Sequence, residues 1–271
     1  MKSGIKENIV GLTAETGYKK YFGIDLAVLL ADKICAVYPA FEKDAFIKKI
    51  KRLDISDLEL LDRVAVISNT LREYLPHEYP KALFLLLKIF GPENDKETGM
   101  FTTGYWLWPV AKFIEMHGLD HLDESVHAIE EMTKRHTGEY VVRPFINKYP
   151  GKMTKVMLGW ARSDNVHVRR LASEGIRPRL PWSQKITLFI DDPKPVFKIL
   201  AVLKDDPSKF VQKSVANNIH DYLKDNKPEA IKLLKEWRKG ASPQRQWIIK
   251  HALRNELKND DKEAMDLVRQ K

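Results

Sequence analysis

The residues with the clearest chemical potential lie in the segment from His167 to Trp182, which reads His-Val-Arg-Arg-Leu-Ala-Ser-Glu-Gly-Ile-Arg-Pro-Arg-Leu-Pro-Trp. At about 100° per residue in a helix, its apolar positions fall on one side, and His167, Arg170 and Glu174 fall together on the opposite, outward side. A carboxylate held by a guanidinium can act on a cationic reaction centre, but the same spacing of four residues also makes an ordinary salt bridge on a solvated face. The residue types alone leave both interpretations open.

Two further carboxylates lie among basic residues. Asp221 shares a predicted helix with Lys213, and Glu139 begins the predicted helix Glu139–Asn147, four residues before Arg143. Carboxylates among basic residues would repel a nucleic acid unless they take part in a reaction or are neutralised by neighbouring arginines. They either stabilise an oxocarbenium-like transition state and orient a water molecule toward it, or they are salt-bridge partners that lock adjacent helices together.

Several enzyme classes lack their signatures in this sequence. It contains no phosphate-binding Gly-x-x-x-x-Gly-Lys loop, no dinucleotide-binding Gly-x-Gly-x-x-Gly after a strand and no Gly-x-Ser-x-Gly nucleophile elbow. His117 and His121 are four residues apart but lack the glutamate of a zincin motif, and Cys35 is the single cysteine. We therefore expect neither a metal site nor nucleotide-driven chemistry.

The sequence also gives no sign of a membrane protein. The longest apolar run, Ala82–Leu87, is far too short to cross a bilayer, and no secretory signal is visible near the N-terminus. We expect a monomeric cytoplasmic protein, associated with the nucleoid if it is bacterial.

The formal net charge of +9 is unevenly distributed over the 271 residues. Residues 1–130 carry 16 Lys and Arg against 20 Asp and Glu, whereas residues 131–271 carry 30 against 17. The resulting charges of −4 and +13 predict a polyanionic partner for the C-terminal half, with nucleic acid the leading candidate. The alternative interpretation of this positive charge is that the lysines serve only to keep the protein soluble.

Helical periodicity dominates the chain, and it predicts an all-α fold. Val168 and the six residues after it align with the segments that begin at Val211 and Ile248, at offsets of 43 and 37 residues. Periods near 40 residues are typical of HEAT-like arrays of helix pairs. We therefore predict one domain over residues 1–271, an α-solenoid of antiparallel helix pairs with a concave basic groove. The aligned cations of that groove are Arg170, Lys213 and Lys250.

The His167–Trp182 segment closely resembles the signature of the AlkC-type DNA alkylation repair glycosylases. Thr133–Phe145, preceded by Gly118-Leu-Asp, and Asn217–Asp225 are similar to the same family. The resemblance implies a helical solenoid that cradles double-stranded DNA and excises cationic N-alkylated bases without a cofactor. It also implies that the base stays in or near the duplex. Many members continue into an immunoglobulin-like domain, which we do not expect in this chain.

Carried over position by position, the resemblance implies catalytic roles for Glu139, Glu174 and Asp221. Arg170 would support Glu174, and Trp182 would contact the damaged nucleotide. The residues chosen for phosphate contacts are Arg169, Arg177, Arg179, Lys213 and Lys250. A non-catalytic HEAT-like module that binds DNA or RNA, and a protein-interaction scaffold, are the competing hypotheses.

Overall fold

The computed structural model describes residues 17–99 and 104–269, and its regular structure there is helical. No strand occurs in either described range, so the predicted all-α class is confirmed. Short 3-10 turns occur at Tyr18–Tyr21, Ile55–Asp57 and Tyr105–Leu107. The α-helices, numbered in chain order, are α1 (Ile24–Val37), α2 (Lys43–Arg52), α3 (Leu60–Tyr74), α4 (Tyr79–Leu87), α5 (Trp108–His117), α6 (Leu122–Thr133), α7 (Val142–Lys148), α8 (Pro150–Trp160), α9 (Val166–Glu174), α10 (Thr187–Asp191), α11 (Lys194–Leu203), α12 (Lys209–Asp225), α13 (Lys227–Arg238), α14 (Pro243–Ala252), α15 (Arg254–Lys258) and α16 (Lys262–Arg269).

The predicted helix Glu139–Asn147 begins later than expected. The helix that contains Val142 begins there, so Glu139 lies in the preceding turn and not at a helix start. Leu253 separates α14 from α15. The short helix α10 was not predicted, because five residues carry no clear helical period.

The chain divides into two compact units, with the boundary between Val142 and Arg143. In the first unit, α3 packs on α2 and α5, and α6 packs on α4 and α5. Phe22 lies edge-on to Tyr105 and Trp108, with ring centroids 5.9 and 5.5 Å apart. The sequence alone does not show which side chains of the cluster Tyr105–Trp108 are exposed. In the structure all four side chains are buried, so the cluster belongs to the core of this unit.

The second unit contains the repeat that the sequence predicts. Helix α12 packs between α9 and α14, so the three aligned segments lie side by side. We call these three helices the repeat row. A second set of helices, α8, α11 and α13, packs against the row. Helices that pair and then stack on their neighbours are the HEAT-like arrangement, and this part of the prediction is confirmed.

Each helix of the repeat row begins with a side-chain cap. Asn165 caps α9, Ser208 caps α12 and Ser242 caps α14, and each oxygen accepts hydrogen bonds from backbone N–H groups of the first turn. Such caps pair donors that a helix end otherwise leaves unsatisfied. The start of each helix in the row is therefore fixed by local sequence.

His136 in the first unit is a buried histidine with no hydrogen-bond partner on either ring nitrogen. Burial lowers the pKa of His136 to about 3, because a charged imidazolium would lose its hydration there. The unfolded chain takes up this proton below a pH of about 6.5, and the folded chain does not. The contribution of His136 to stability is therefore complete above that pH and is lost as the pH falls toward 3.

We expect the stability of the wild type, relative to a His136→Leu variant, to fall by about 2 kcal/mol between pH 7.5 and pH 5. Urea denaturation of both proteins across this range measures the difference. The exposed His127 on α6 supplies the control, since His127→Leu makes the same replacement at a solvent-exposed position of the same unit. A constant difference between wild type and His136→Leu would show that His136 does not titrate in this way.

Candidate active site between helices α9 and α12

Glu174 is the last residue of α9, where the negative end of the helix dipole disfavours a carboxylate. It is nevertheless only 5% exposed. Its Oε1 accepts a hydrogen bond from Arg177 Nη1 at 2.8 Å, and its Oε2 accepts one from Ser214 Oγ at 2.6 Å. Arg170 Nη2 lies 3.7 Å from Oε1. The predicted pairing of Arg170 with Glu174 is therefore present, but Arg177 is the closer cation.

Arg177 joins Glu174 to a second carboxylate, that of Asp221. Its Nε and Nη2 donate to the two oxygens of Asp221 at 2.9 and 3.2 Å. Asp221 lies within α12 and is 3% exposed. One guanidinium thus bridges two buried carboxylates that belong to neighbouring helices of the repeat row.

Polar side chains of α12 also hold the end of α9. Ser214 donates to Glu174, and the Ser214 hydroxyl lies 2.6 Å from the Ser173 hydroxyl. Asn218 Nδ2 donates to the backbone carbonyl of Ser173 at 2.7 Å. Because Asp221 follows on the same helix, these contacts fix the position of Glu174 relative to Asp221.

The two carboxyl groups differ in acidity. Burial raises the pKa of Glu174, but the charges of Arg170 and Arg177 and the hydrogen bond from Ser214 together hold that pKa below its ordinary value. Burial also raises the pKa of Asp221, and the single guanidinium of Arg177 does not fully offset it, so this pKa stays above its ordinary value. Of the pair, Glu174 is therefore the firmly ionised member and Asp221 the better proton acceptor.

The environment of α9 corrects one sequence prediction. His167 and Glu174, expected on an outward solvated face, are 4% and 5% exposed. The reason is that α12 packs against this side of α9 and that Phe210 covers the ring of His167, with centroids 5.6 Å apart. Burial of an ionised carboxylate there is possible because guanidinium groups compensate its charge.

Glu139, the third predicted catalytic carboxylate, belongs to the first unit. It is 8% exposed and accepts a hydrogen bond from Thr137 Oγ1 at 3.0 Å. The structure therefore brings Glu174 and Asp221 together, and the role of Glu139 stays a prediction.

Trp182 has an exposed ring on an unusual backbone. The residue is 63% exposed and has a φ of 61°, in the left-handed region. Ser183 N donates to Leu180 O at 3.3 Å, which closes a turn with Pro181 and Trp182 at its corners. Proline followed by a residue of positive φ is the pattern of a type II turn, which usually has glycine where this chain has Trp182. A bulky residue there costs about 1–3 kcal/mol, and such strain persists where the surroundings impose it.

The five cations predicted to contact phosphates differ in their surroundings. Lys213 and Lys250 are exposed. Arg169 donates to Asp206 at 2.7 Å, and Arg179 pairs with Asp225. The Arg177 side chain is 11% exposed and bridges two carboxylates. For all five cations, phosphate contact stays a prediction.

Sequence reasoning missed a row of rings beside these cations. His167, Phe210 and Trp247 occupy one register of the repeat, directly before the aligned apolar residue. The Arg170 guanidinium lies 4.7 Å from the Phe210 ring centre, and Lys209 Nζ lies 4.3 Å from that of Trp247. Extending the repeat alignment by one residue would have shown this register.

Within the described ranges, no group of three or more His, Cys, Asp and Glu side chains is placed to hold a metal ion. The His117 ring packs edge-on against Phe113, and the His121 ring stacks on Tyr79. None of the helices described has the length and apolarity needed to span a membrane.

Comparison with known proteins places this geometry in a family. The family described as DNA alkylation repair enzyme matches residues 115–255. The chain belongs to this family. It is 38% identical over 249 residues to the protein YhaZ of Bacillus subtilis (strain 168), which is described as uncharacterized, and the match covers 92% of this chain and 67% of that protein.

A solved structure of similar fold adds a second comparison. The alkylpurine DNA glycosylase AlkC of Pseudomonas fluorescens, bound to DNA containing an abasic site analogue, is 32% identical, with a TM-score of 0.83 over 92% of this chain and 67% of that one. The range that matches the DNA alkylation repair family contains Glu139, Glu174, Asp221 and Trp182. A function in DNA repair follows from this membership.

Replacement of Arg177 by methionine should destabilise this DNA alkylation repair protein by about 3–5 kcal/mol, because two buried carboxylates lose their shared cation. Urea denaturation at pH 7 measures the loss. The triple variant Glu174→Gln, Arg177→Met, Asp221→Asn should recover more than half of it, since no uncompensated charge is left. Arg162→Met, at an exposed site on the same unit, is the control. A loss below about 1 kcal/mol in Arg177→Met would contradict the bridging role.

Replacement of Trp182 by glycine should leave the free energy of unfolding within about 1 kcal/mol of the wild type. Relief of the strain at positive φ is offset by the greater conformational entropy of glycine in the unfolded chain, and the exposed ring adds little packing. Thermal and urea denaturation measure this. The buried Trp160→Gly serves as the contrast and should cost several kcal/mol. Equal destabilisation by both changes would mean that the Trp182 ring is part of the core.

Proposed function

We propose that this DNA repair protein is a monofunctional alkylbase DNA glycosylase, active as a monomer without a cofactor. It hydrolyses the N-glycosidic bond of cationic N-alkylated bases in duplex DNA. The observation that carries this proposal is the pair of buried carboxylates, Glu174 and Asp221, held by one guanidinium within a DNA alkylation repair fold.

The chemistry fits a substrate that is already cationic. N-alkylation gives the base a positive charge, so the base leaves as a neutral molecule when the glycosidic bond breaks and its electron pair returns to the base nitrogen. No general acid has to protonate the leaving group. The remaining tasks are to stabilise the positive charge that develops on the sugar and to deliver a water molecule to C1′.

The two carboxylates divide these tasks according to their acidity. Glu174, whose pKa is held low, stays ionised and supplies the negative charge beside the sugar cation. Asp221, whose pKa burial raises, accepts the proton that the attacking water loses as its oxygen bonds to C1′. Arg177 keeps both groups in place, and we propose a catalytic role for Glu139 as well.

Trp182 supplies the contact with the damaged nucleotide. Its ring is exposed on a turn, where it can lie against a deoxyribose or a cationic base. This placement favours an approach of the protein to the sugar of the damaged nucleotide, with the base left in or near the duplex. The substrates are 3-methyladenine and, as further candidates, 7-methylguanine and 3-methylcytosine. Arg170 supports Glu174, and Lys213 and Lys250 contact phosphates.

The variants Glu174→Gln and Asp221→Asn should each lower the single-turnover rate of base release from methylated duplex DNA by at least about a hundredfold. The first removes the negative charge beside the sugar cation, and the second removes the acceptor of the proton that the attacking water loses. Chromatography of the free bases measures release, and binding to the same DNA should persist. Glu139→Gln is tested in parallel.

Asp206→Asn provides the matched control for these two variants. Asp206 is also buried and paired with an arginine, but it lies ahead of α12, away from the Glu174–Asp221 pair. Folded Asp206→Asn protein should release bases at close to the wild-type rate. Salt-sensitive DNA binding by a wild type that releases no base would instead identify a non-catalytic DNA-binding module.

A further inference from the structure

We propose that Arg179 and Asp225 are positioning residues, whose ion pair holds the loop of residues 175–186 so that the Trp182 ring is presented to DNA in one orientation. This inference rests on the proposed function, because it concerns the delivery of Trp182 to the lesion. It assigns Arg179 to Asp225 in place of a DNA phosphate.

Arg179–Asp225 is the second of two ion pairs between the loop and α12, and we call these two pairs the clip. Arg177 and Arg179 lie two residues apart in the loop, with a turn at Pro178 and Arg179. Asp221 and Asp225, four residues apart on α12, lie on one helical face. Arg177 pairs with Asp221 at 2.9 Å, and Arg179 Nε pairs with Asp225 Oδ2 at 2.6 Å. The loop is therefore joined to one face of α12 at two points one helical turn apart.

The other end of the loop is tied as well. Arg143, which is 4% exposed, donates from Nη1 to the carbonyls of Gly175 at 3.2 Å and Arg177 at 2.8 Å, and from Nη2 to the carbonyl of Gln184. Ile186 N donates to Pro178 O at 3.4 Å. The turn that carries Trp182 is therefore fixed both where the chain enters it and where it leaves.

The left-handed backbone of Trp182 requires such restraint. A residue with a large side chain keeps a φ of 61° only where the surrounding chain enforces it. The two ion pairs differ in what else they do. Arg177 neutralises the buried carboxylates, whereas the Arg179 side chain is 37% exposed and the Asp225 side chain is 9% exposed. A pair with one solvated partner contributes less to global stability than a fully buried pair, so Arg179–Asp225 serves mainly the geometry of the loop.

Two roles of Arg179 make opposite predictions for Asp225. If Arg179 contacts a phosphate, Asp225→Asn removes a negative charge and frees the guanidinium, so DNA binding should tighten. If Arg179 positions the loop, Asp225→Asn and Arg179→Gln should have the same effect. Each should slow single-turnover base release by about ten- to a hundredfold, as small displacements of contact groups do, with the salt dependence of DNA binding unchanged.

The experiment compares Arg179→Gln, Asp225→Asn and Lys213→Glu, alone and with Trp182→Ala. We expect the first two to have no further effect on rate in the Trp182→Ala background, because they act through that ring. Lys213→Glu, at an exposed phosphate-contact position, should weaken DNA binding and lower its salt slope in either background. Tighter binding by Asp225→Asn, rate effects that add to that of Trp182→Ala, or a full rate in Trp182→Ala would each overturn the proposal.

A readout independent of catalysis separates this inference from the proposed function. Hydrogen–deuterium exchange of residues 175–186 should become faster in Arg179→Gln and Asp225→Asn and stay unchanged elsewhere in the second unit. Unchanged exchange in the loop would overturn the positioning role even if bases are released. A wild type that releases no base would refute the proposed function, while faster exchange would still support the clip.

Discussion

The guanidinium of Arg177, shared between Glu174 and Asp221, is the interaction on which the candidate site depends. Without it, two carboxylates of neighbouring helices would be buried without a sufficient counter-charge. Its position follows from the chain direction, since α9 ends at Glu174 and Pro178 prevents the helix from continuing. Arg177, which lies just beyond the end of α9, thus joins α9 to α12.

The same arrangement bears on stability and on the proposed reactivity. A buried ion pair is seldom the most stable way to fill a helix interface, since desolvation of both charges offsets their attraction. It does keep two anions fixed in surroundings that screen charge poorly, where they act strongly on a cation. Ser214 and Asn218 add rigidity without adding charge.

Local patterns predicted much of this molecule, and three-dimensional contacts decided the rest. The helix starts at Asn165, Ser208 and Ser242 follow from their side chains, and the repeat was visible in aligned apolar residues. The burial of Glu174 could not be predicted in this way, because helical periodicity describes a single helix and does not show which helix packs on its polar side. For the same reason, the spacing of four residues favoured Arg170 as the main partner of Glu174, although Arg177, beyond the helix end, lies closer.

The two ion pairs between the loop and α12 have a consequence for the length of the chain that joins them. Asp221 and Asp225 lie one helical turn apart on α12, so an insertion or deletion between Arg177 and Arg179 would shift one arginine away from its aspartate while the other stayed paired. The spacing of the two arginines along the loop is therefore set by the pitch of the helix with which they pair.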